Sequence, residues 1–149
     1  MVDREPARVL QDAWADMTWS LEPGAFALVG FDEPSLPDDL ACLARTPSQI
    51  VRDGSETTML VSESDAATIL RRHPSARVER DLVWIRFETP MGWEVVGFLA
   101  RVTGALAAEG VPLGAVCGFS RDHLFVARKH LATARIVLDR LFPRSRSRA

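Results

Sequence analysis

Nowhere along the 149 residues do apolar side chains run together for the roughly 18 positions that a membrane-crossing helix needs, so no spanning segment and no membrane partner are expected. The stretch Met1 to Leu10 is charged where a secretory leader would be apolar, and the expectation is a cytoplasmic protein. Cysteine is scarce. Cys42 and Cys117 stand far apart, outside any C-x-x-C pattern, and read as buried, reduced thiols rather than as a zinc site or a disulfide framework. No two of the three histidines, His73, His123 and His130, have metal-ligand spacing, so neither a metal nor another cofactor is expected. Gly92 and Gly97 match neither the dinucleotide nor the nucleoside-triphosphate loop. With 18 basic against 20 acidic residues the net charge is -2, which gives no field to draw in a nucleic acid. Lysine is nearly missing: Lys129 stands against seventeen arginines, a bias that fits a GC-rich genome better than a functional choice. Arg144, Arg146 and Arg148 are too few for a polybasic tract, so residues 143–149 read as a flexible, arginine-rich tail.

What is present is the balance of a globular protein, 47% hydrophobic and 26% charged residues. Val9, Leu10, Ala13, Trp14 and Met17 form a stripe at helical spacing, and Pro23-Gly24 then turns the chain. Ala25 to Phe31 reads as a short buried strand, and Leu40 to Ala44 as one or two helical turns after a loop rich in Pro and Asp. Asp53-Gly54 signals a hairpin between Gln49 to Arg52 and Thr57 to Val61, with Ser55 and Glu56 lengthening the loop. Ser62, with Asp65 three residues on, starts a helix that Pro74 ends. Ala76 to Glu88 alternates as a long strand, bent near Asp81, with Trp84 in the core. Val95, Leu99, Val102 and Leu106 then mark a helix that Gly110 stops. Pro112 to Phe119 and Leu124 to Val126 read as paired strands, and Leu131, Ala134, Ile136, Leu138 and Leu141 as a last helix before Pro143. The second half is thus strand, helix, strand, strand, helix, and the first half holds a compressed version of that order. Trp14 and Trp19 are expected to pin the N-terminal helix to a sheet.

The stretch WIRFETPMGWEVVGFLARVTGALAAEGVPLGAVCGFSRDHLFV, Trp84 to Val126, resembles the second module of small, uncharacterised bacterial tandem-ACT proteins. The telling pieces are E-V-V-G-F-L-A at Glu94 to Ala100 and G-F-S-R-D-H-L-F-V at Gly118 to Val126, with T-T-M-L-V at Thr57 to Val61 similar to the first module. Asp122-His123 is also similar, more distantly, to an element of the mammalian cytosolic arginine sensor. The resemblance implies an α+β fold of two ferredoxin-like (ACT) βαββαβ-type modules packed with sheets side by side, a homodimer, and amino-acid-like ligands at module interfaces. On it we divide the chain into an N-terminal helix and turn (1–24), a compressed first module (25–79), a second module (80–142) and the tail (143–149). The loop after Phe31 and the short first helix depart from the family, which leaves the first module without an assigned ligand site.

The segment Met91 to Gly97 delivers the chain onto a helix whose first N–H groups lack intrahelical partners, a place that suits an anion. Gly92 and Gly97 would let a ligand carboxylate approach the backbone, with Trp93, Glu94, Val95 and Val96 around it; the plainer reading is that Gly97 allows close packing and Glu94 caps the helix. In the hexapeptide Gly118-Phe119-Ser120-Arg121-Asp122-His123, Gly118 and Phe119 lead to Asp122, which can accept a ligand ammonium or, equally, satisfy turn N–H groups. Trp93 is placed to wall a pocket or to cover a dimer seam. Ser120, Asp122 and His123 lack the surroundings of a nucleophilic triad, because no nucleophile elbow holds Ser120 and neighbouring strand residues point to opposite faces. No catalytic residues are assigned. The expected function is therefore a non-catalytic, regulatory binder of an amino-acid-like molecule; the alternative is a ligand-free dimerisation or protein-interaction module.

Overall fold

The computed structural model describes residues 5–148, with side chains from Arg8 to Ser145. The chain divides into two compact units, Glu22–Val83 and Met1–Leu21 with Trp84–Ala149. Of the segment set apart at 1–24 by the sequence, the described residues up to Leu21 group with Trp84–Ala149, and Glu22 to Gly24 with the other unit. Both units combine helices with antiparallel strands.

In the unit Glu22–Val83, strand β2 (Phe26–Phe31) pairs with β4 (Thr57–Ser62) and with the first half of β5 (Arg77–Phe87), while β3 (Gln49–Arg52) pairs with β4. The β3–β4 loop closes as expected of Asp53-Gly54: the Asp53 carboxylate accepts the Ser55 and Glu56 amides at 2.7 and 2.8 Å, which holds it below the usual carboxylate range. Helix α3 (Glu63–Arg72) starts where Ser62 Oγ accepts the Asp65 amide at 3.2 Å. It lays Ala66 and Ile69 on a core of Ala27, Val29, Phe31, Met59 and Val61. β5 bends at Asp81, whose φ of 52° marks a bulge, and Glu63 braces it through the Asp81 amide and Arg80.

Between β2 and β3 stand a short α2 (Pro37–Ala41) and a 3-10 turn, Cys42–Ala44. A buried polar network ties α2 down. The Asp39 carboxylate is fully buried and accepts from the Leu36 amide (2.8 Å), Arg72 Nε (2.7 Å) and His73 Nε2 (2.8 Å). His73 in turn stacks on Phe31, ring centroids 3.9 Å apart.

In the other unit, helix α1 (Glu5–Asp16) leads into β1 (Trp19–Leu21), which pairs antiparallel with the second half of β5, Trp19 opposite Phe87. Trp19 therefore belongs to a strand that the sequence does not announce. Helix α4 (Phe98–Ala108) precedes the hairpin β6 (Gly114–Cys117) and β7 (Asp122–Ala127), and β7 lies beside β5. A 3-10 turn, Arg128–His130, then leads into helix α5 (Leu131–Leu141). Trp14, Phe87, Phe98 and Phe142 pack as an aromatic cluster with centroids 4.7 to 6.0 Å apart. Ile136, expected on the buried face of the last helix, points outward at 67% exposure, and Val137 takes the inner position.

After α5 the chain runs on through Pro143–Arg148. It continues as a 3-10 helix, Ser145 Oγ accepting the Trp19 amide at 3.0 Å and Arg144 pairing with Asp16. The side chains of Arg146 and Arg148 lie outside the described residues. Of the two thiols, only Cys42 is buried; Cys117 is exposed. No described helix is long and apolar enough to cross a membrane, and no described group of side chains could hold a metal ion.

Candidate functional site

The segment after β5 and the β6–β7 hairpin meet in one unit. The Met91 amide donates to the Ser120 carbonyl at 2.7 Å, and Arg121 Nε donates to the Glu88 carbonyl at 2.9 Å. Between them lies a hollow of about 280 Å³ lined by Met91, Gly92, Trp93, Val95, Phe98, Cys117, Gly118, Phe119, Ser120, Arg121 and Asp122. Of the residues singled out in the sequence, Gly92, Trp93, Val95, Gly118, Phe119 and Asp122 reach this hollow. Glu94, Val96 and Gly97 do not line it.

The reasons for the glycines differ from those inferred from sequence. Helix α4 begins at Phe98, three residues beyond Val95, because Gly97 has φ +89° and cannot continue a right-handed helix. Gly97, not Glu94, is the capping residue, and it supplies no side-chain bond. Its lack of a side chain answers the backbone angle and not crowding, since an added Cβ would meet only Leu10 Cδ2 at 3.7 Å. Gly97→Ala is accordingly expected to lower stability by about 1 to 2 kcal/mol. Asn, which tolerates the left-handed region, should recover part of that loss in thermal unfolding. Equal melting of Gly97→Ala and wild type would contradict the assignment.

Gly92 makes room for the protein itself: a Cβ there would stand 2.3 Å from both carboxylate oxygens of Glu94. Gly118 serves its turn. Its amide donates to the Arg121 carbonyl at 2.9 Å, and a Cβ would stand equally close to that oxygen. The chemistry of the hollow is therefore carried by side chains. Asp122 faces Cys117 across the hairpin; partial desolvation of the otherwise exposed residue, then the hydrogen bond to Asp122 and its negative charge, push the Cys117 thiol up, so it stays protonated at neutral pH and is a poor nucleophile.

His123 lies off the lining, its ring edge-on to Trp84 at 5.8 Å, so Ser120, Asp122 and His123 are not gathered around the hollow. Trp93 and Phe119 are almost completely exposed, at 98% and 101%. The sequence reading passed over Arg121, Phe98 and Cys117 as lining residues. Arg121 and Cys117 were legible as hairpin neighbours of Asp122 in the register that Gly118 imposes. Phe98 was not, because the helix was phased on Leu99.

Residues 77–140, from β5 to α5, match the family model of the ACT domain. No curated protein matches the sequence. Among solved structures, protein Atu0741 from Agobacterium tumefaciens gives a TM-score of 0.71 at 17% identity, covering 84% of this chain and 88% of its own. VC0802 from Vibrio cholerae, described as of unknown function, gives 0.68 at 18%, covering 93% and 97%. The ligand-free regulatory subunit of aspartate kinase from Thermus thermophilus gives 0.60 at 14%, covering 83% and 96%. At such identities the likeness is one of fold, and it agrees with the helices and antiparallel strands described above. Residues 77–140 are therefore similar to an ACT domain, and the chain has a fold of the α+β, ferredoxin-like type.

Proposed function

We propose that this protein is a non-catalytic regulatory component that binds an amino-acid-like small molecule in the hollow between Trp93 and Asp122, and that it does so in the cytoplasm as a homodimer of chains carrying two ACT-like modules in tandem. The observation that carries the reading is the convergence of the 91–95 segment and the β6–β7 hairpin on one cavity, lined by a carboxylate, a guanidinium and two exposed aromatic rings. A small concave site with a few polar groups among apolar ones is what a small ligand requires. The fold shared with a regulatory subunit of aspartate kinase supports a regulatory role. The protonated Cys117 and the outlying His123 favour binding over catalysis.

Binding stabilises the folded chain by linkage, so thermal unfolding in the presence of each of the common amino acids is the test. A ligand at about 100 times its dissociation constant should contribute about 2.7 kcal/mol, or roughly 5 to 11 °C in melting temperature. No rise with any amino acid at millimolar concentration would overturn the proposal. The second reading, a ligand-free interaction module, rests on the exposed Trp93, Phe119 and Val96 and would then take its place.

A further inference from the structure

The hollow holds one charge of each sign from neighbouring residues of a single hairpin, Arg121 and Asp122. A simple anion would meet Asp122 and a simple cation would meet Arg121. A molecule with both charges a bond or two apart meets neither penalty. The sequence reading placed a ligand carboxylate near Gly92 and the start of α4, but the Glu94 carboxylate already stands over Gly92 and would repel it. Arg121 is the better partner. Its Nε is fixed on the Glu88 carbonyl, and among the described residues its two terminal nitrogens have no hydrogen bond or ion pair. A guanidinium anchored in this way presents its remaining donors as a fork that fits a carboxylate. Beside this polar pair stand the two rings. Trp93 and Phe119 bury almost nothing at present, so an apolar group that enters the hollow they line can cover part of both rings.

Resting on the reading of this hollow as a ligand site, we propose that the ligand is a free α-amino acid with a large apolar side chain. Arg121 holds its carboxylate, Asp122 its ammonium, and Trp93 with Phe119 covers its side chain. Arg121 and the aromatic pair are then the residues that set specificity.

The test is calorimetric titration of the full chain with L-phenylalanine, L-leucine, L-alanine, L-aspartate and L-lysine, together with N-acetyl-L-phenylalanine and L-phenylalaninamide. Phenylalanine and leucine are expected to bind at least about tenfold more tightly than the other three amino acids, and the acetyl and amide derivatives to lose at least about tenfold. The double variant Trp93→Ala/Phe119→Ala, whose sites are exposed and leave the core intact, should bring the phenylalanine-to-alanine ratio to within about threefold. Arg121→Gln should abolish the penalty for the amide, and Asp122→Asn the penalty for the acetyl group. Amino-acid binding without an apolar preference, or a ratio that survives loss of both rings, overturns the specificity and leaves the ligand site standing. Should the double variant instead turn a dimer into a monomer by light scattering while the ratio holds, a second copy covers the rings and the specificity is overturned. Binding by no amino acid at all overturns both readings.

Discussion

Asp39→Ala is expected to lower the stability of the protein by about 3 kcal/mol, near the lower end of the cost of breaking a buried ion pair from one side. In thermal unfolding this corresponds to a fall of roughly 6 to 12 °C. The lower end is the right one because the Arg72 side chain keeps 21% exposure and can recover water when its partner leaves, whereas Asp39 itself has none. The substitution also strips His73 Nε2 and the Leu36 amide of their acceptor, so α2 loses its tie to the end of α3. Asp39→Asn keeps the shape and an acceptor oxygen and should lose less than the alanine variant. A loss below about 1 kcal/mol for Asp39→Ala would show that the network adds little beyond an ordinary surface pair.

The same residue sets a pH dependence. Burial alone raises the Asp39 carboxyl; the hydrogen bonds from His73, Leu36 and Arg72, with the Arg72 charge, outweigh burial and hold it below its ordinary value. A carboxyl that gives up its proton more readily when folded favours the folded state above its unfolded pKa of about 3.9. That contribution drains away as pH falls through the lower, folded value. The acid limb of wild-type stability should therefore be steeper than that of Asp39→Asn over this range.

The local elements were legible wherever a neighbour within a few residues decides the outcome. Ser62 and Asp65 announce α3 because the cap is a bond between residues three apart, and Asp53-Gly54 announces its hairpin for the same reason. Pairings between distant residues were not legible. Asp39 and His73 are 34 residues apart, and nothing in either neighbourhood marks a buried acid. Trp19 joins a strand through Phe87, and Ser145 caps its amide from the far end of the chain.

At the site, the convergence of two segments could be anticipated from family likeness, but the detail turned on one backbone angle. With Gly97 in the left-handed region the buried side of α4 is Phe98, Val102 and Leu106, and not the side that carries Val95 and Leu99. Val102 and Leu106 are buried as the sequence pattern expects, and either Phe98 or Leu99 lies near enough to their face to extend it by a turn. Steric bulk chose between them: Phe98 fills the aromatic cluster, while Leu99 is left half-buried.

That choice makes Phe98→Ala the most damaging single change expected in the unit that carries the hollow. Phe98 is 2% exposed and touches three rings, edge-on to Phe87 at 5.0 Å and to Trp14 at 5.6 Å, and stacked on Phe142 at 6.0 Å. Truncation removes the apolar surface it buries and leaves a cavity among aromatic side chains that cannot collapse inward. The expected loss is about 3 to 5 kcal/mol, or roughly 6 to 20 °C in melting temperature. Trp93→Ala, at a fully exposed ring of comparable bulk, should stay within about 0.5 kcal/mol of wild type. Denaturant unfolding of the two variants measures the contrast directly. Comparable losses from both would mean that the aromatic cluster is not the packed centre described, and that the hollow lacks the rigid floor on which selective binding depends.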